Sequence, residues 1–300
     1  MYKINHIKKS LNNQNYLEIT NSSKNVYAKI YLNQGASLQK LTLKNQELIK
    51  DMYPLPYETT YASSILFPFA NRIKDGSYQF NKKKHQLNIN EKDLNNAIHG
   101  FVYNKTFEII NQETNNSFAA LDLSYDEQNI SEGFPYTYSI KLKYKFTENT
   151  LELKVEIKNT SSKAFPFTLG WHPYFLSNNL YDSHLDFSSS KKIILDERNI
   201  ATGQENIENN GIFEVLDKSL DDCFVLNSGK VTFYTPTYSF VLKSSEENSF
   251  LQLYTPPIKN TLAIEPTTGV SDSFNNGIGL KTLQPNDSYG ISWSLIMNDN

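Results

Sequence analysis

Arginine and cysteine are the scarce residues of this 300-residue chain. The single cysteine, Cys223, leaves no internal disulfide to form, and the expected setting is a reducing, cytoplasmic one. It also excludes a Cys-x-x-Cys pair and, with only five scattered histidines, argues against a structural zinc site. Only Arg72 and Arg198 are arginines, and the other basic residues are lysine. Forked clamps on phosphate or carboxylate must therefore be few. No run of 18 apolar residues occurs, so no membrane span is expected. Residues 1–20 lack the apolar stretch of a signal peptide. The balance of 29 basic against 32 acidic residues, net charge -3, gives no electrostatic case for nucleic acid or an anionic membrane. Glycine-rich phosphate loops, His-Glu-x-x-His and Gly-x-Ser-x-Gly are all missing. No cofactor and no metal are expected.

Amphipathic helices are also missing. No segment repeats the three-to-four-residue period over three turns, and Val215 to Leu220 is the one candidate for a short helix. No low-complexity linker and no short-period repeat divides the chain, so residues 1–300 read as a single domain.

What is abundant is strand-forming material. The chain holds 19 Tyr and 18 Phe beside many Val, Ile and Thr. Tyr136, Tyr138, Ile140, Leu142, Tyr144 and Phe146 alternate with polar residues. After the turn Thr147-Glu148-Asn149-Thr150, Leu151, Leu153, Val155 and Ile157 alternate again. This predicts an antiparallel hairpin with one wet face. A turn at Lys74-Asp75-Gly76-Ser77 precedes Tyr78/Phe80 and then Leu87/Ile89 in alternation, with Lys82, Lys83 and Lys84 at a solvated hairpin tip. Val231 and Phe233, Tyr238 to Leu242, Phe250 to Tyr254, Leu262 to Glu265, and Ile291 to Met297 read as further strands. Turn punctuation every 8–12 residues or so predicts an all-β sandwich or barrel.

Among the histidines, His6 and His85 lie in lysine-rich surroundings that predict the surface, and His184 reads as loop. His99 follows the turn-like Asn95-Asn96-Ala97-Ile98. His172 sits in Leu169-Gly170-Trp171-His172-Pro173-Tyr174-Phe175, where Pro173 should stop a central strand. Glu265 ends an apolar strand, and Pro266 holds it in extended backbone. Each could be structural or part of a site on local sequence alone.

Read in order, these segments resemble the aldose 1-epimerase (galactose mutarotase-like) family along nearly the whole chain. The resemblance runs through Gly35-Ala36-Ser37-Leu38, Asn71-Arg72-Ile73, Gly76-Ser77-Tyr78, Ile98-His99-Gly100 and Glu132-Gly133-Phe134-Pro135. It continues through Pro166-Phe167-Thr168-Leu169-Gly170, His172-Pro173-Tyr174-Phe175, Leu220-Asp221-Asp222-Cys223-Phe224 and Ile264-Glu265-Pro266. His-Pro-Tyr-Phe and Glu-Pro are closer to bacterial members than to galactose mutarotases, which leaves the sugar open.

The resemblance implies a large antiparallel β-sandwich, a supersandwich, that interconverts the α- and β-anomers of an aldose. Glu265 would be the base and His172 the acid. Arg72, His99 and Asp221 would bind the sugar, with Asp222 the alternative to Asp221. Of Trp171, Tyr174 and Phe175, at least two belong to the core, and the others could pack on the sugar. The expected partner is a small-molecule sugar, with neither nucleic acid nor membrane, and the expected protein is a monomer or homodimer. A non-catalytic carbohydrate-binding protein on the same fold and a hexose-phosphate 1-epimerase are the alternatives. A glycoside hydrolase built on Asp221 and Glu265 has no further support. A phosphate-specific site should show arginines, and only Arg198 is available beyond Arg72. Polarimetry should therefore find no hexose 6-phosphate turned over about tenfold more efficiently than every neutral aldose, a margin of about 1.4 kcal/mol.

Overall fold

The computed structural model describes residues 1–9, 14–207 and 211–299. Among these, twenty strands hydrogen-bond into one branched sheet network, and three two-stranded ribbons flank it. Among the described residues, helix is confined to single turns at Tyr57–Thr60, Val102–Asn104 and Ser273–Asn276. No helix of the described residues is long and apolar enough to cross a membrane.

The alternating hairpin forms as its pattern requires. Tyr138–Phe146 pairs antiparallel with Thr150–Asn159, and Leu142 faces Val155. Its Tyr, Ile, Leu and Phe side chains are buried while Lys141 and Lys143 are exposed. Thr150–Asn159 then pairs with Ser288–Met297, which pairs on its other edge with Ser239–Ser244. The inner faces of this large antiparallel sandwich share one apolar core. Both tryptophans lie in it, with the rings of Trp171 and Trp293 stacked 6.3 Å apart.

Three strands bring the candidate residues to one place. Asp221–Tyr234 pairs with Phe250–Tyr254, and that strand pairs with Thr261–Thr267. On the far edge, Thr261–Thr267 pairs with two short strands, Gly170–Trp171 and Tyr174–Leu176. Gly170 faces Thr267 and Tyr174 faces Ala263, so the gap between the short strands sets His172 beside Glu265. Pro173 causes that gap, as its missing N–H predicts, yet its carbonyl still accepts from the Ile264 N–H at 3.3 Å. Over this floor lies the ribbon of Arg72–Lys74 with Asn96–Ile98, in which Arg72 faces Ile98.

Several sequence expectations are corrected. Residues 215–220 form turns and extended chain rather than a helix. His184 begins the strand His184–Leu195 and stacks on its cross-strand neighbour Tyr234 at 4.7 Å. His85 is buried, stacked on Tyr78 at 4.9 Å. In Lys83–Gln86 the strand period turns Lys84 and Gln86 outward and His85 inward, so its lysine neighbours misrepresent it. Leu87 and Ile89 lie beyond that strand, and Asn96, Ala97 and Ile98 are strand rather than turn.

Gly100 shows how tightly the chain beside the site is built. Its φ is +70°, and a Cβ there would lie 2.1 Å from the Phe67 carbonyl oxygen. Gly100→Ala should cost about 2 kcal/mol or more, from the left-handed backbone and the collision together. A denaturant midpoint unchanged from wild type would contradict this.

Candidate active site

Arg72, His99, His172, Asp221 and Glu265 all line one cavity of about 490 Å³. That lies within the roughly 300–1,000 Å³ typical of small-molecule sites. A second cavity, about 740 Å³, holds the Lys105–Glu127 ion pair and none of these five residues.

At the floor, His172 Nε2 lies 3.3 Å from Glu265 Oε1, and the residues are 4% and 3% exposed. Glu265 is not at a strand end as expected. It sits inside Thr261–Thr267, a strand buried along its whole length, opposite Gln252. Burial costs the charged form of each partner, so the two shift in opposite directions. It raises Glu265 well above the ordinary carboxylate range, with repulsion from Asp221 adding and Arg72 opposing. It pushes His172 down to about 4, with the Arg72 charge acting the same way. Burial thus favours the proton on the carboxyl and the neutral form of the imidazole across one short contact.

His99 forms the wall above. Its backbone is left-handed, with φ 65°, and its N–H donates to the carbonyl of Asn71, itself left-handed at φ 60°. Two non-glycine residues in that region mark a locally strained segment held by its surroundings. The His99 ring packs edge-on against His172 at 5.1 Å and Tyr61 at 4.8 Å. Burial, then the His172 and Arg72 charges, hold it well below 6.5 and neutral. A neutral imidazole offers one donor and one acceptor, which suits a hydroxyl.

Asp221 enters from its strand end, and the strand period turns Asp222 away to an ion pair with Lys192 at 2.6 Å. This separates the two aspartates that the sequence left open. Asp221 accepts from Gln252 Nε2 at 2.7 Å and from Asn199 Nδ2 at 3.1 Å. Burial raises its carboxyl despite Arg72, whose Nη1 lies 3.8 Å away. Of the three aromatics near His172, Trp171 and Phe175 are core, and Tyr174 lines the cavity.

Sequence reasoning missed Gln252, Glu91 and Asn71. Gln252 had a signal, being the one amide in the otherwise apolar Phe250–Tyr254. Glu91 had none, because Glu91-Lys92-Asp93 reads as an ordinary charged loop. Asn71 was read only as part of a motif. Arg198 was the second candidate for a phosphate. It lies outside the cavity lining and donates instead to Leu94, Asn95, Asn96 and Asp75. No group of three or more His, Cys, Asp or Glu among the described residues is arranged to hold a metal ion.

A large antiparallel sandwich of this kind is the galactose mutarotase-like fold. The family model for aldose 1-epimerase matches residues 16–295, and the chain belongs to that family. It is similar in fold to a galactose mutarotase-like protein from Clostridium acetobutylicum, with a TM-score of 0.85, 21% identity and 99% of each chain covered. Galactose 1-epimerase from Lactobacillus acidophilus NCFM is similar at a TM-score of 0.81, with 19% identity and 99% of each chain covered. In sequence the chain is 22% identical over 275 residues to the uncharacterized protein YihR of Escherichia coli strain K12, covering 87% of each.

The desolvated imidazole has a consequence for stability. Its folded value, about 4, lies below the unfolded 6.5, so the unfolded chain binds more protons between these limits. The contribution of His172 is whole above pH 6.5 and lost as pH falls toward 4, by up to about 3 kcal/mol. His172→Asn should therefore lose less stability than wild type between pH 7 and pH 4.5 in denaturant titrations. Parallel curves would show that the imidazole is not desolvated.

Proposed function

We propose that the chain is an aldose 1-epimerase, a mutarotase that interconverts α- and β-anomers by opening and closing the sugar ring. The observation that carries this reading is the 3.3 Å contact of His172 Nε2 with Glu265 Oε1 at the floor of the cavity. A site that only holds a sugar has no use for a buried acid–base couple of this kind.

The reaction needs one proton taken and one given. The reacting form has the proton on His172 and Glu265 ionised, against the direction in which burial pushes each group. Attraction across the short contact offsets part of the burial cost of both charges. The Glu265 carboxylate takes the proton of the anomeric hydroxyl. The C1–O5 bond breaks, its electron pair goes to O5, and O5 takes the proton of His172. A carbonyl forms at C1, rotation about C1–C2 turns its other face inward, and the same steps reverse. No group or electron leaves the sugar. A carboxyl raised by burial is a stronger base once ionised, which suits the role of Glu265. Arg72, His99 and Asp221 hold the sugar hydroxyls and ring oxygen, with the charged groups making the stronger bonds.

Positioned acid and base groups contribute about 10²–10⁴-fold each. Glu265→Gln and His172→Asn should each lower kcat at least about 100-fold while sugar binding is largely kept. Arg72→Ala and Asp221→Asn should mainly raise KM. The wild-type kcat/KM should fall in acid as Glu265, raised by burial, takes up a proton, and fall in alkali as His172 loses the proton it must give. Polarimetry on fresh α-anomers measures these rates. A folded Glu265→Gln retaining more than half of wild-type activity would sink the mechanism.

A further inference from the structure

Arg72 reaches the cavity already engaged. Its Nε lies 3.0 Å from both carboxylate oxygens of Glu91, and its Nη2 lies 2.9 Å from Glu91 Oε1. The pair is largely enclosed, with side chains 12% and 18% exposed. Of its five N–H groups, both on Nη1 and one on Nη2 are left, and Nη1 already faces Asn71 Oδ1 at 3.2 Å and Asp221 Oδ2 at 3.8 Å.

Glu91 is itself anchored. Asn96 Nδ2 donates to Glu91 Oε2 at 2.8 Å, and the two backbones exchange hydrogen bonds of 3.1 Å each way. Arg198 then fastens Asn96 from behind, its Nη2 donating to Asn96 Oδ1 at 2.9 Å. The chain's two arginines are thus joined through Asn96 and Glu91. The remaining charges of the cavity lining compound the effect. Glu58, Asp93 and Asp221 stand with Glu91 against Arg72 and the exposed rim residue Lys92.

We propose that Glu91 is the specificity-determining residue of this site, restricting it to aldoses that carry no anionic substituent. The proposal rests on the aldose 1-epimerase reading and names its substrate class. A uronate carboxylate or sugar phosphate would have to share the guanidinium with Glu91 or displace it. Sharing sets its charge against Glu91 and Asp221, and displacement leaves an enclosed carboxylate without its partner; both are unfavourable. A neutral hydroxyl needs only one of the free N–H groups and brings no charge. The forked contact also fixes the guanidinium plane, so that these groups are presented in one orientation.

The test compares full-length wild type, Glu91→Gln and Glu91→Asp on galactose, glucose, glucuronate and glucose 6-phosphate. Anomer exchange gives kcat and KM, and NMR titration gives dissociation constants. The wild type should prefer the neutral sugars at least tenfold. In Glu91→Gln, the efficiency ratio of glucuronate to galactose should rise at least tenfold, with the loss on galactose falling on KM. Glu91→Asp keeps the charge and should keep a ratio near wild type. A folded Glu91→Gln whose ratio stays within threefold of wild type overturns the proposal, as does a wild type that prefers either anion. Should Glu91→Gln not fold, Asn96→Ala, which loosens the anchor and keeps Glu91, should move the ratio the same way by threefold or more, and an unchanged ratio there also overturns it. If the wild type turns over no aldose, the aldose 1-epimerase reading fails separately. The binding ratios then decide the role of Glu91 by the same limits, and absence of binding to all four sugars overturns it.

Discussion

A carboxyl group on a strand with no exposed residue is the constraint around which this site is built. Thr261–Thr267 is paired on both edges and covered on both faces, and Glu265 occupies its interior. An isolated ionised carboxylate there would be prohibitively costly. Burial accordingly raises Glu265 well above its ordinary range, and an imidazole stands 3.3 Å away to share its proton. The break at Pro173 makes the imidazole available, because a continuous strand would have taken His172 into regular pairing. The register of four neighbouring segments is therefore tied to the protonation of one pair.

Around this pair the charges are arranged by sign. Arg72 stands above it, and its positive charge lowers His172 and His99 while opposing the rise of Glu265 and Asp221. One cation thus acts on all four of these groups, and on Tyr254 as well. It can do so reliably because its own position is determined by Glu91, Asn96 and Arg198 rather than by solvent. A lysine could not serve in the same way, since its ammonium has neither the plane nor the fork that Glu91 grips. The two arginines of the chain are accordingly both spent on one structural relay, and the ordinary surface charge is carried by lysine.

The hairpin from Tyr138 to Asn159 was legible because strand period and burial coincide along both of its strands. His172 could be singled out because proline beside a histidine in an aromatic run is locally unusual. Glu91 and Gln252 could not be assigned in this way. Glu91 becomes a guanidinium clamp only when the ribbon of Arg72–Lys74 with Asn96–Ile98 folds over the floor. Gln252 meets Asp221 only across a strand pair. His85 was misread for a related reason, since its neighbours in sequence face the other side of its strand.

What the sequence determined by itself is the grammar of the sheet: alternation, turn punctuation, the missing helices, and the family-like order of its motifs. These are local or cumulative properties, and each residue contributes to them without regard to distant partners. It also limited the chemistry, since two arginines and one cysteine leave few ways to bind phosphate or cross-link the chain. The tertiary structure alone decided which of Asp221 and Asp222 faces the cavity, where Arg198 is spent, and how far burial displaces the pKa values of His172 and Glu265. Those outcomes depend on distance and dielectric, which come into being only when segments nearly a hundred residues apart are brought within a few ångströms of each other.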